Sequence, residues 1–482
     1  MSFVVYDIIF LVLFIVIGGV FLYRHRSRAK WEGPIILYRT QVGIKFIDYV
    51  DQHYGKYLSK LKWIIILTGY VSMAVMTFLL LQMLYIFIKR PDVVRAVKIP
   101  PLAPLIPYLP ELFKVDFLPP FYFTYWILAI AVIALSHEFA HGIFAKINNV
   151  RVKSTGFGFL GPFLAAFVEP DEEEMQKIKK SDQLAILGAG SFANLIMTVL
   201  FLVLLGIFFT LSFAPGGVVF NTYAFEVVNI SDIQSIGGVD VSQIGLLDAL
   251  SPRYQDSRKD IAIDGHNFTT ALVREEKFYL DMILTQEHAK TNLPYTLAYL
   301  ETPAFIAGLR GVIIGIDGAK IKDHADLQEA LAKKNPGETV QITTLFKGKE
   351  ETKEISLGTH PETGKAFLGV SLIQGGSRGF LGKIRNFALF FRDPQTYYKP
   401  KFNHGLIVFI YDLLWWIILI NLSVALVNML PLGIFDGGRV FYVTMWGLLK
   451  SEGWAKKMYR IATYFLLAVF ALLMIAWAWH MF

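Results

Sequence analysis

The chain has 482 residues, of which 54% are hydrophobic and only 18% charged, with a mean hydropathy of +0.48; soluble domains carry about 25% charged residues, so this composition excludes an ordinary water-soluble protein and makes the lipid bilayer a partner. The formal net charge of +7 is spread beside apolar runs instead of being gathered in one basic tract, which favours membrane anchoring over nucleic-acid binding, so no nucleic-acid partner is expected. Cysteine is absent, so disulfides and thiolate-held metals are excluded, and any metal must be held by His, Asp or Glu.

Hydropathy predicts six membrane-crossing segments: Val4–Tyr23, Trp63–Ile88, Phe121–Phe144, Leu184–Phe213, Leu406–Pro431 and Ile461–Phe482. The polar residues in Phe121–Phe144 also allow a buried or re-entrant segment there. The first run is followed, not preceded, by Arg24, Arg26, Arg28 and Lys30, so residues 1–24 read as a retained anchor. Residues 25–62 read as a cytosolic loop. Basic residues there, between Lys146 and Lys180, and between Lys450 and Arg460 place three loops in the cytosol and both termini outside. Lys89, Arg90, Arg95 and Lys98 in the second loop run against that rule. A multi-pass protein of the cell membrane is expected.

Residues 63–213 form the first half of the expected core. Within it, Gly156–Pro170 (GFGFLGPFLAAFVEP) is too short to span and is broken by Gly and Pro. Non-helical backbone at membrane depth must pair with itself or line a protected cavity. The segment is therefore either a membrane-dipping β-hairpin or an amphipathic surface loop. From Gly216 to Gly382 apolar runs are short and turns frequent (Asp264-Gly265, Asp317-Gly318, Pro336-Gly337). Val340–Phe346 and Glu354–Leu357 read as strands around the turn Lys347-Gly348, and Asp323–Lys333 as an amphipathic helix. This is a water-soluble α/β insert held outside the cytosol. Residues 404–446 form the second half of the core, and 454–482 a last transmembrane helix.

Ser136-His137-Glu138-Phe139-Ala140-His141 contains HExxH. On a helix, positions i and i+4 share one face about 6 Å apart along the axis. Two such imidazoles can hold one Zn²⁺, with Glu138 within reach of the metal-bound water as general base. A catalytic zinc takes three protein ligands and keeps one position open. Asp436, in Asn428-Met-Leu-Pro431-Leu-Gly-Ile-Phe-Asp436-Gly437-Gly438 at the end of the fifth run, is at the same expected depth and can be the third. By itself that segment also reads as a polar helix terminus with a turn. Gly188-Ala-Gly190-Ser-Phe-Ala-Asn194 opens the fourth run. Its glycines fit close helix packing, and its buried asparagine fits a hydrogen-bonding role toward substrate backbone or an oxyanion.

HExxH in a membrane helix, GxxxN at Gly190–Asn194 and NxxPxxxxDG at Asn428–Gly437 occur in the order seen in the site-2 protease family of intramembrane zinc metalloproteases, which the chain resembles over about 121–213 and 406–440. The resemblance implies zinc on His137, His141 and Asp436, Glu138 as catalytic base, and substrate contacts from Asn194 and Asn428. It implies that Gly156–Pro170 is a membrane-associated β-hairpin holding substrate as an extended strand. It points to the PDZ-containing, prokaryotic members. Glu301–Arg310 and Ile313–Gly318 resemble a PDZ domain over about 293–357, although Arg310-Gly311-Val312 lacks the usual Asp. Residues 221–291 are additional, and Ile261–Gly265 echoes the same strand-turn pattern as a second degenerate copy. The expected architecture is thus a polytopic α-helical membrane protein of about six transmembrane helices, with an extramembrane α/β PDZ-like domain and a membrane-associated β-hairpin. The expected partner is a membrane-spanning protein substrate. A proteolytically inactive binding relative and a transporter with a midplane ion site are the competing classes; the latter is disfavoured by the absence of internal repeats.

Overall fold

The computed structural model describes residues 3–27, 29–33, 35–89, 94, 105–112, 118–160, 163–251, 253–254, 260–263, 265–290, 293–372 and 390–481. Arg28, Arg90, Arg95, Lys98, Asp264 and the boundary at Gly382 lie outside the described residues. The chain divides into one unit of Met1–Phe208 with Gly405–Phe482 and another of Phe209–His404.

The first unit is built on α1 (Phe3–Arg24), α2 (Ile44–Leu58), α3 (Lys62–Lys89), α4 (Phe123–Ile147), α5 (Lys180–Ser212), α6 (His404–Val427), α7 (Asp436–Leu449) and α8 (Glu452–Met481). Among the described residues, six helical runs are long and apolar enough to cross a membrane: α1, the continuous Ile44–Lys89 run, α4, α5, α6 and α8. Phe121, Phe123, Trp126, Ala129 and Ile133 pack with Trp416, Ile417 and Ile420 of α6 in one core. Ile65, Phe144, Ala145, Ile186, Leu187, Met429 and Val440 form another.

Helix α1 also satisfies the start of a neighbouring helix. Its Asp7, 1% exposed, accepts hydrogen bonds from the backbone N–H groups of Phe123 (2.7 Å) and Thr124 (2.8 Å), and from the Tyr108 hydroxyl. A helix N-terminus leaves its first N–H groups without intrahelical partners, and in apolar surroundings each orphan costs several kcal/mol. A carboxylate from a neighbouring helix offsets that cost, so a charge is tolerated within an apolar run.

Residues 25–62 are not a plain loop, and the expected hairpin does not stand alone. Ala29–Glu32 (β1), Ile35–Thr40 (β2), Val152–Leu160 (β3) and Phe163–Pro170 (β4) form a four-stranded antiparallel sheet in sequence order. Arg39 on β2 bridges Glu32 on β1 (2.7 Å) and Glu169 on β4 (3.2 Å). Ser154 on β3 donates to Glu169 at 2.6 Å. That hydroxyl first, and then Arg39, hold the Glu169 carboxyl below its ordinary range against partial desolvation. With β4 left as an edge strand, its outer backbone groups have no strand partner among the described residues.

The fifth apolar run also ends earlier than expected. A proline ring clashes with the carbonyl four residues back and brings no N–H to bond it, and α6 stops at Val427, four residues before Pro431. The chain turns through Asn428–Phe435 and re-enters a helix at Asp436. Asp436 therefore opens α7 instead of closing α6. The reversal is tight: the Gly437 N–H donates to the Asn428 carbonyl at 2.7 Å, and a Cβ at Gly437 or Gly438 would lie 2.2 Å or 2.1 Å from backbone of Met429 or Leu432.

Among its described residues the second unit holds two larger sheets and two small two-stranded ladders, 358–359 with 366–367 and 370–371 with 222–223. One larger sheet runs 349–356, 339–346, 312–316, 213–219, 396–400, with 319–320 on 312–316. The strands Thr339–Phe346 and Lys349–Ser356 meet at Lys347-Gly348, both at positive φ (49° and 79°), the turn geometry that suits a two-residue hairpin. The helix His324–Ala332 is capped by Asp323, which accepts from the Asp326 N–H. Two strands of this sheet, Phe213–Val219 and Thr396–Pro400, come from outside 293–357, so the domain closes only with chain from both ends of the insert. The extra residues supply most of a second sheet, 225–229, 295–299, 276–281, 266–273, 233–236, 239–240, with 261–263 on 266–273.

Candidate metal centre

His137 and His141 lie one turn apart on α4, 6% and 9% exposed. Asp436 reaches them from the first residue of α7. Nε2 of His137 is 3.1 Å from Nε2 of His141, and each is 3.3 Å from Oδ2 of Asp436. Among the described residues these three are the one group of three or more His, Asp or Glu whose ligand atoms converge. A tetrahedral zinc with bonds of about 2.0–2.1 Å needs ligand atoms about 3.3 Å apart. The observed triangle has that size without rearrangement, and its donor set, two imidazoles and one carboxylate, is one zinc accepts.

Glu138 points to the β4 side. One of its carboxylate oxygens, Oε2, accepts the Val168 N–H at 2.9 Å. A cavity of about 250 Å³ opens over the cluster, lined among others by His137, Glu138, His141, Asn428, Asp436 and Arg439. Arg439 pairs with Glu172 at 3.0 Å on its rim. Asn428 lies at the turn after α6, its Nδ2 3.3 Å from Nε2 of His137.

Asn194 is placed differently. It is fully buried, its carboxamide is 3.2 Å from Nδ1 of His137 and 3.2 Å from the Ser136 hydroxyl, and it does not line the cavity. All six residues singled out in the sequence thus gather at one place, five on the cavity and Asn194 behind it. Sequence reasoning missed two partners. The Ile186 carbonyl accepts from Nδ1 of His141 at 2.7 Å, and the Val168 N–H holds Glu138. Both are main-chain groups, which no residue type announces.

The sequence profile of peptidase family M50 matches residues 125–473, well over half of the chain. Among curated proteins, a stretch of 65 residues is 42% identical to a probable periplasmic serine endoprotease DegP-like protein of Bartonella henselae, covering 13% of each chain. A stretch of 86 residues is 42% identical to an uncharacterized protein of Methanocaldococcus jannaschii, covering 18% of this chain and 23% of that one. The chain thus spans less than a quarter of the length of either relative. The PDZ domain of an SdrC-like protein from Listeria monocytogenes matches 15% of this chain and 78% of that domain at 27% identity, with a TM-score of 0.14, too low to bear on the fold. Given the extent of the family match and the convergence of HExxH with a distant aspartate, the chain belongs to peptidase family M50, the site-2 protease family of membrane-embedded metalloproteases.

Proposed function

We propose that this protein hydrolyses peptide bonds within transmembrane segments of membrane-anchored proteins, with zinc held by His137, His141 and Asp436 and with Glu138 as general base. The observation that carries the reading is the 3.1–3.3 Å triangle of ligand atoms facing a cavity that also holds Glu138 and Asn428. When bound, zinc supplies an acidified water and polarises a carbonyl. The chain's own residues do the rest. Val168 fixes Oε2 of Glu138, leaving Oε1 to take a proton from water and deliver it to the leaving amide nitrogen. Asn428 offers donors and an acceptor to substrate backbone.

A transmembrane helix hides its carbonyls in its own hydrogen bonds, so a few residues must unwind before hydrolysis, and the freed backbone groups then need partners. The open edge of β4 can supply them by pairing with an extended substrate strand, and the Val168 N–H directed at Glu138 supports that this edge faces the base. Substrates with helix-weakening residues near the cut are therefore cleaved faster. Relative to a poly-Leu span, one Gly lowers helix stability by about 1 kcal/mol and Pro by about 3 kcal/mol, which corresponds to rate gains of about fivefold and up to about a hundredfold. Purified protein incubated with such a substrate series reads this directly. Equal cleavage of the poly-Leu and Gly-containing spans overturns the unwinding requirement, and failure to cut any of them overturns the proteolytic reading.

In the same reading the metal centre sits toward the cytosol and the insert outside, its PDZ-like part either binding peptide termini or gating access by size. Tags placed within 171–180 and near Lys347 should then be labelled from opposite sides of the membrane. Labelling from one side sinks this topology.

A further inference from the structure

Three positions on α5, Ile186, Gly190 and Asn194, are four residues apart and share one face. That face lies against both histidines of α4. The Ile186 carbonyl accepts from Nδ1 of His141 at 2.7 Å. A Cβ at Gly190 would lie 2.4 Å from Nε2 of His141 and 2.6 Å from Cε1 of His137, so both rings lean on the bare backbone there. Asn194 then meets Nδ1 of His137 at 3.2 Å. The helices run antiparallel in this pairing, with 141 against 186 and 137 against 194.

We infer that Asn194 is a positioning residue for the His137 imidazole and does not contact substrate. This rests on the zinc reading of the preceding section. An imidazole that ligates through Nε2 carries its proton on Nδ1, and that N–H needs an acceptor to fix the ring. His141 has the Ile186 carbonyl. For His137 the acceptor assigned is the carboxamide oxygen of Asn194: the structure sets Nδ2 of Asn194 at 3.2 Å from Nδ1 and Oδ1 on the Ser136 hydroxyl, and exchanging the two ends of the amide, which have the same shape, puts the oxygen on Nδ1–H. With its oxygen on Nδ1–H, its NH₂ donates to the Ser136 hydroxyl, which donates in turn to the Val132 or Ile133 carbonyl at 3.0 Å or 3.1 Å. The Nδ1–H, the Asn194 carboxamide and the Ser136 hydroxyl are then each hydrogen-bonded, as a buried polar network requires. Substrate contact would need the amide to reach the cavity. Asn194 is fully buried outside the cavity lining, whereas Asn428 is in it. The two asparagines therefore divide the work.

The test is zinc retention in purified full-length protein, read as zinc content and as the rate of release to a chelator, alongside cleavage of a transmembrane substrate. Asn194→Ala should release zinc about 10- to 100-fold faster than wild type, the usual effect of removing a residue that orients a metal ligand. Asn194→Asp, whose carboxylate still accepts from Nδ1–H, should release zinc no faster than wild type. Rescue by Asp separates orientation from oxyanion binding, because a carboxylate would repel an oxyanion. If Asn194→Ala keeps zinc at the wild-type rate while cleavage falls, Asn194 acts on substrate and the inference fails. It also fails if Asn194→Asp loses zinc as fast as Ala. A wild-type protein that holds no zinc overturns the metal assignment and this role together, whereas a zinc-loaded wild type with a zinc-tight Asn194→Ala overturns only the latter.

Discussion

Glu138→Gln will leave one zinc per chain and reduce cleavage by at least about 10²–10⁴-fold, the range a positioned general base contributes. Glutamine keeps the size of the side chain and can still accept the Val168 N–H, which lies 2.9 Å from Oε2 in the native protein. The contact between α4 and β4 therefore survives. What is lost is the capacity to take a proton from water. None of the three converging ligand atoms belongs to Glu138, so metal content is unaffected. Metal analysis and cleavage assays on the same preparation give both readouts. A Glu138→Gln protein that cleaves at the wild-type rate removes Glu138 from the role of base, and one that loses its zinc shows that the carboxylate serves as a ligand.

Gly190→Ala should be nearly as damaging, although it adds only one methyl group. The new Cβ would sit 2.4 Å from Nε2 of His141, 2.6 Å from Cε1 of His137 and 2.7 Å from Nε2 of His137, all well inside contact distance. Either both rings turn away or α4 and α5 separate. Overpacking of this kind costs about 1–3 kcal/mol, and here it displaces the two nitrogens that, in the proposed function, would hold the metal. Zinc content should fall well below one per chain and cleavage should drop by about a hundredfold, equivalent to about 2.7 kcal/mol. Gly188→Ala is the control. Its Cβ would meet the Ile65 side chain at 3.1 Å and the Ile65 carbonyl at 3.4 Å, contacts that a small shift relieves, so zinc should remain bound. Wild-type zinc content and activity in Gly190→Ala would show that α5 does not press on the histidines.

These two predictions draw on different levels of the molecule. The apolar runs, and with them the membrane-length helices, are readable from composition because a span needs only length and apolarity. The triad His137, Glu138 and His141 is equally local: once Phe123–Ile147 is helical, the i, i+4 spacing alone puts both imidazoles on one face. Asp436 was legible from its expected depth and from the order of motifs but from no local pattern, since 299 residues separate it from His137 and no periodicity spans that gap.

Other features depend on pairings between distant segments. Ile35–Thr40 becomes a strand because it pairs with Thr155–Phe159; alone it is a short apolar run that fits a loop, helix or strand equally well. Pro431 ended α6 at Val427 by a rule that was available in the sequence, but the carboxylate's place at the head of α7 came from the reversal that Gly437 and Gly438 allow. Composition, spacing and motif order by themselves pointed to a membrane-class protein with a helical pair of histidines spaced to share a metal and a carboxylate to join them. Only the tertiary structure separated Asn194 from Asn428. The two residues have identical chemistry, and what distinguishes them is which side of the same imidazole each approaches and whether water can reach it there.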